Sequence, residues 1–155
     1  MTTGVPDIAD VTMGPAAPRD ADAVCLLLAE AGLPTAGVLD QFPSAYVLAW
    51  RGGELVGVAG LEVYGISGLL RSVAVAPTLR GCGTGRALVA DRLTAARARE
   101  LDAVYLLTTT AADYFEKLGF APAPREGVPA DLAASPELSS ACPSSATCMV
   151  LRLRG

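Results

Sequence analysis

The chain has 155 residues, 52% of them hydrophobic and 5% aromatic, with a formal net charge of −4. That length suits one domain around one core, expected over residues 1–155. The acidic balance argues against a nucleic-acid binder, and the absence of histidine removes a Ser-His-Asp or Cys-His enzyme along with the commonest general base and zinc ligand.

No stretch reaches the roughly 18 apolar residues of a membrane span, and the start lacks the basic region of a secretory signal. A cytoplasmic, reduced protein is expected, with Cys25, Cys82, Cys142 and Cys148 as free thiols.

Residues 1–18 read as a loose arm or a first strand, interrupted by Gly4, Pro6, Gly14, Pro15 and Pro18. Asp20 or its neighbour can cap a helix in which Val24, Leu27, Leu28 and Ala31 recur at helical spacing. Gly32 to Pro34 stop it, and a loop runs to Pro43. Residues 46–50, 55–63 and 69–75 read as three strands, joined by turns at Arg51-Gly52-Gly53-Glu54 and at residues 64–68. Together they make an antiparallel meander, ended by Pro77. Residues 83–100 turn helical, with Leu88, Val89, Leu93 and Ala96 on one face. Residues 104–109 form a short apolar strand. A second short helix follows over residues 113–118, capped by Thr110 and ended by Gly119. Strand, helix, strand, helix predicts a parallel strand pair. Residues 121–147 read as a long loop with a short helix near 129–134, and residues 149–153 as a last strand. The expected class is α/β with a mixed sheet.

The segment Arg80-Gly81-Cys82-Gly83-Thr84-Gly85-Arg86 joins a strand to a helix. The first turn of a helix leaves N–H groups unpaired at the positive end of its dipole. Glycines admit a phosphate close to the backbone, and Arg80 and Arg86 add charge. An ordinary glycine-rich turn fits the same residues. The segment lacks the Gly-Lys-Ser/Thr of a P-loop, and its glycine spacing is not that of a dinucleotide fingerprint.

The sequence resembles the GNAT N-acetyltransferase superfamily here. Arg80-x-x-Gly83-x-Gly85 matches the family's Arg/Gln-x-x-Gly-x-Gly/Ala and follows Val73-Ala74-Val75-Ala76-Pro77. Tyr114-Phe115-Glu116-Lys117-Leu118-Gly119-Phe120 is similar to the family's Leu-Tyr-Glu-Lys-x-Gly-Phe. The two motifs cover about residues 69–120. The resemblance implies a GNAT fold: a mostly antiparallel mixed sheet, flanked by helices, whose strands four and five splay into a V that holds acetyl-CoA as co-substrate, without a metal. It implies that the backbone of Val73, Ala74 and Val75 pairs with the pantetheine arm. It implies that residues from Arg80 through Gly81, Cys82, Gly83, Thr84, Gly85 and Arg86 hold the pyrophosphate. A main-chain N–H near Val73–Val75 would stabilise the oxyanion, and Thr108, Phe115 and Lys117 align with cofactor-side positions. The family often has Asn where Thr108 stands. Its usual acid, a Tyr, aligns with Phe115, while Tyr114 sits one residue earlier, about 100° around the helix. Tyr114 therefore reads either as the acid or as a packing residue.

Residues 55–150 also resemble the acetyltransferases encoded with arsenic-resistance genes, in Gly60-Leu61-Glu62-Val63-Tyr64-Gly65, Leu69-Leu70-Arg71-Ser72-Val73, Thr108 to Asp113, and Cys142 to Cys148. That likeness implies an amino-acid-like or organoarsenical amine as acceptor. The chain is expected to be a monomer or homodimer, many relatives pairing through sheet edges or the C-terminal strand.

On the substrate side, Glu62 alternates with Val56, Val58 and Gly60, so it is either a base or a strand-end carboxylate. Arg71 alternates with Val73 and Val75; it either clamps a substrate anion or pairs with Glu62. Ser72, Tyr46 and Tyr64 are candidate pocket lining. Cys142 and Cys148 fit a thiolate site for a metalloid or incidental packing. An enzyme, a catalytically silent acetyl-CoA sensor and a thiol-based metalloid binder all remain open at this point.

Overall fold

The computed structural model describes residues 11–135 and 146–153. Seven strands form one sheet: β1 (Thr12–Pro15), β2 (Tyr46–Arg51), β3 (Glu54–Tyr64), β4 (Ser67–Val75), β5 (Ala103–Thr108), β6 (Ala121–Pro122) and β7 (Thr147–Arg152). Their spatial order is β1-β2-β3-β4-β5-β7-β6. All neighbours run antiparallel except β4 and β5. The β2–β3 turn is tight because Gly52 and Gly53 both take positive φ, 59° and 82°, the pair that a two-residue hairpin of matching twist requires.

Among the described residues, three helices cover the two faces. α1 (Ala21–Glu30) buries Val24, Leu27 and Leu28 against Tyr46, Leu48, Val58 and Ala74. α2 (Thr84–Ala98) buries Leu88, Val89, Leu93 and Ala96 on the other face, where α3 (Ala112–Lys117) adds Phe115. Both long helices thus turn inward the stripe that helical spacing predicts. Beyond α1, the α1 face is closed by the short 3-10 turn Ala130–Ala134, whose Leu132 packs on Leu69, Tyr105 and Val150. No helix among the described residues is long and apolar enough to cross a membrane.

Two irregularities change which residues share a face. Register slips between Ala49 and Trp50 opposite β3, so Val56 packs with Ala59 and Leu88 on the α2 face, away from Val58. On β4, Val58 pairs with Ala74 but Gly60 pairs with Arg71, so one residue of β3 faces two of β4. This bulge at Ser72–Val73 inverts the alternation. Arg71 therefore shares the α1 face with Glu62, Leu69 and Ala74, while Val73 and Val75 join the α2 face. The expected common faces of Glu62 with Val56, and of Arg71 with Val73 and Val75, are corrected on both counts.

Asp20 stands at the N-cap of α1 as expected, while its carboxylate accepts from the Ala17 N–H at 2.8 Å and closes the 3-10 turn Pro18–Asp20 ahead of the helix. At α3 the Thr108 hydroxyl, not Thr110, accepts the Ala111 N–H at 3.0 Å. A threonine at the end of β5 reaches the helix entry because the connection is only three residues long.

Candidate active site

The parallel pairing of β4 with β5 lasts only from Ser67–Ala103 to Leu69–Tyr105. Beyond it the strands part and leave a cleft of about 590 Å³. Leu70 to Val75 line one side and Leu106 to Thr110 the other, with Leu33 and Pro34 after α1 and Tyr114 and Phe115 on α3 closing the ends. Two strand edges with unfilled ladder positions face each other here. Such an edge takes up an extended polar chain by main-chain hydrogen bonds.

The glycine-rich loop opens onto this cleft. Arg80 lines it, and α2 begins at Thr84 behind Gly83, which takes φ 85° as N-cap. Gly81, Gly83 and Arg86 are exposed, and Cys82 is half-buried against the α2-side core. Added β-carbons test how close the backbone can be approached. At Gly81 nothing would lie within 4 Å; at Gly85 the Tyr114 hydroxyl would stand at 3.1 Å and Val75 Cγ2 at 3.4 Å. The Thr84 hydroxyl is buried without a hydrogen-bond partner. The open backbone at Gly81, the helix start at Thr84 and two flanking arginines fit the pyrophosphate of a coenzyme.

The α1-side wall of the cleft holds a buried polar network. Glu62 is fully buried on β3. Its Oε2 accepts from Arg71 Nη1 at 3.3 Å, and its Oε1 accepts from the Tyr64 hydroxyl at 2.8 Å and the Ser135 hydroxyl at 3.3 Å. Arg71 also donates from Nε to the Ser72 hydroxyl at 3.0 Å and from Nη2 to the Pro34 carbonyl at 3.3 Å. Ser72 itself sits at φ 60°, a left-handed conformation that costs a residue with a β-carbon about 1–2 kcal/mol. Burial foremost, with the Glu62 hydrogen bond and charge, pushes the Tyr64 phenol up to about 12 against the opposing Ser135 hydrogen bond and Arg71 charge.

The candidate residues separate clearly by place. Arg71, Ser72, Val73, Ala74, Val75, Arg80, Thr108, Tyr114 and Phe115 line the cleft. Glu62 and Tyr64 lie beside it, reaching it only through Arg71. Tyr46 is 1% exposed in the α1-side core, its ring occupying the space where Gly60 has no side chain. Lys117 is exposed and away from the cleft lining. Tyr114 stacks edge-on to the buried Phe115, and its hydroxyl lies by Gly85, at the start of α2. Burial raises the Tyr114 phenol, with the Arg86 charge acting against it. Cys142 lies outside the described residues. Cys148 is buried near Arg125, and burial raises its thiol, which works against the thiolate that a soft metalloid needs. Among the described residues no three His, Cys, Asp or Glu side chains gather as a metal site. Pro34 and Ser135 escaped sequence reasoning. Neither carries a local signal, and Ser135 stands 73 positions from its partner Glu62.

Comparison with known proteins agrees with this geometry. No curated protein matches the chain. N-acetylglutamate synthase from Neisseria gonorrhoeae, complexed with coenzyme A and N-acetyl-glutamate, superposes on 94% of the chain with a TM-score of 0.79 at 22% identity. The chain spans only 35% of that enzyme's length. Rv2747 from Mycobacterium tuberculosis, in complex with CoA, matches over 92% of this chain and 99% of its own, with a TM-score of 0.75 and 25% identity. The ribosomal-protein-S18-alanine N-acetyltransferase from Escherichia coli matches over 94% and 95%, with a TM-score of 0.68 at 19% identity. The model of the acetyltransferase (GNAT) domain matches residues 43–122, just over half of the chain. With a sheet that parts between β4 and β5 and a glycine-rich helix start at the opening, the chain belongs to the GNAT acetyltransferase family.

Proposed function

We propose that this protein is a cytoplasmic enzyme of one domain that transfers the acetyl group of acetyl-CoA to the primary amine of a small, amino-acid-like molecule. The observation that carries this reading is the cleft between β4 and β5, with the Arg80–Gly85 loop at its opening. Val73, Ala74 and Val75 offer their backbone to the pantetheine arm. The N–H groups from Gly81 to Arg86, with the Arg80 and Arg86 side chains, hold the pyrophosphate. A main-chain N–H in the Val73–Val75 stretch donates to the thioester carbonyl oxygen as negative charge develops there.

Proton handling follows from what lines the cleft. Glu62 is enclosed and already holds three donors, so it serves Arg71, and the acceptor amine loses its proton to water. Phe115 has no proton to give, and the Tyr114 hydroxyl sits by the first turn of α2, at the phosphate end. The thiolate therefore leaves without a protein acid; a thiol of pKa about 8.5 is a good enough leaving group near neutral pH.

The amino-acid acceptor class is supported by similarity to a structure complexed with coenzyme A and N-acetyl-glutamate. The test is release of free CoA thiol from acetyl-CoA with L-glutamate, L-arginine, other amino acids, aminophosphonates, arsono-amino acids and an N-terminal alanine peptide. Turnover with an amino acid supports the reading, and turnover confined to the arsono-amino acids would place the protein in arsenic resistance. Acetyl-CoA binding without thiol release across the panel would favour a silent acetyl-CoA sensor, the alternative that Phe115 at the acid position supports.

A further inference from the structure

We propose that Arg71 is a positioning residue for acyl transfer: its guanidinium pins the Ser72 bulge of β4 and ties that bulge to the chain leaving α1. The kinetic part of this proposal rests on the acetyl-CoA reading of the cleft; the conformational part does not.

Ser72 occupies φ 60° although serine is not among the residues that populate the left-handed region readily. Something must hold it there. Its hydroxyl accepts from Arg71 Nε at 3.0 Å, and both residues are buried, at 7% and 2% exposure. Arg71 is not free to follow a relaxing strand. Glu62 fixes Nη1 and the Pro34 carbonyl fixes Nη2. Glu62 is in turn held by the hydroxyls of Tyr64 and Ser135, so the anchor extends to β3 and to the segment after the Ala130–Ala134 turn.

The bulge decides what β4 presents to the cleft. The extra residue is what turns Val73 and Val75 to the α2 face and leaves Arg71 on the other. It therefore sets which main-chain groups of the Val73–Val75 stretch meet the acyl end of a bound thioester. The bond to Pro34 extends the same control to the loop that closes the cleft on the α1 side. A substrate clamp would need a guanidinium edge open to the ligand, whereas the Arg71 side chain is fully enclosed and each of its nitrogens already donates to the protein. Through this network Arg71 acts on substrate only by way of the backbone that it holds.

Glycine provides the decisive test, because it adopts positive φ without a clamp. Ligand-free crystal structures of Arg71→Met and of Arg71→Met/Ser72→Gly are compared with wild type. The bulge is expected to relax to negative φ at position 72 in the single variant and to persist in the double. With acetyl-CoA and the best amine of the panel above, Arg71→Met is expected to lower kcat about 100-fold, the effect of a misplaced reacting group, with the acetyl-CoA KM little changed. Ser72→Gly in that background is expected to restore most of it, a rescue that a purely structural loss would not show. Position 72 staying near φ 60° in Arg71→Met overturns the proposal. So does a rise in acceptor KM alone that Ser72→Gly leaves uncorrected. Should Arg71→Met fail to fold, Ser72→Ala removes only the hydroxyl and must show the same change of φ. Absence of turnover in wild type would overturn the acetyltransferase reading and leave the conformational comparison to decide on Arg71.

Discussion

Replacing Glu62 with alanine tests the buried network most directly. Both side chains of the Arg71–Glu62 pair are fully enclosed, 3.3 Å apart. The substitution removes the carboxylate from Arg71 and the acceptor from the Tyr64 and Ser135 hydroxyls in one step. Breaking a buried pair from one side costs about 3–5 kcal/mol. At about 2–4 °C per kcal/mol for a chain of this size, the midpoint should fall by roughly 6–20 °C. Urea unfolding followed by circular dichroism gives the free energy, and a thermal scan gives the midpoint. Glu62→Gln keeps the shape and one acceptor oxygen and should lose less. The double variant Glu62→Leu/Arg71→Met should recover much of the loss, since an apolar pair of similar volume often replaces a buried ion pair without cost. A loss below about 1 kcal/mol in Glu62→Ala, the worth of an exposed pair, would refute the reasoning.

Three further outcomes are expected. Valine at Gly83, which sits at φ 85°, and at Gly85 should distort the start of α2 and weaken acetyl-CoA binding at least about tenfold by calorimetry, or 1.4 kcal/mol, while circular dichroism still shows a folded sheet; retained binding would remove the phosphate cradle from this loop. Tyr114→Phe should raise the acetyl-CoA KM and leave kcat and its pH profile nearly unchanged. A kcat loss of about 100-fold or more, typical of a general acid, would put its hydroxyl at the sulfur instead. Tyr64 titrates near 12 in the folded chain against 10.0 ordinarily, so folding favours its protonated form. Its contribution to stability is complete below pH 10 and fades as pH rises to 12. An alkaline absorbance titration should show this late phenol in wild type and lack it in Tyr64→Phe.

The elements themselves were legible because their signals are local. Gly52-Gly53 announces a hairpin, Leu88, Val89, Leu93 and Ala96 announce a helix face, and Arg80 to Gly85 announce an anion site at its start. Which face a strand residue takes was legible only as far as the alternation ran unbroken. One slipped residue opposite Val56 and one extra at Ser72 reversed the assignments of Val56, Val73 and Val75, and no residue type at those points marks a bulge. Tyr46 reads as pocket lining until Gly60 is seen to make room for its ring in the core. The partners of Glu62 were half legible: Arg71 is its neighbour one strand away, but Ser135 arrives from a distant loop.

The outermost strands carry one more consequence. Ala16 donates inward to the Tyr46 carbonyl, so alternation turns the nitrogen of Pro15 outward on β1. Ala123 donates inward to the Cys148 carbonyl, which likewise turns Pro122 outward on β6. Each described rim of the sheet thus offers a ring nitrogen where an incoming chain would seek a donor. Edge-to-edge stacking is weakened at both rims by the donor that each proline removes.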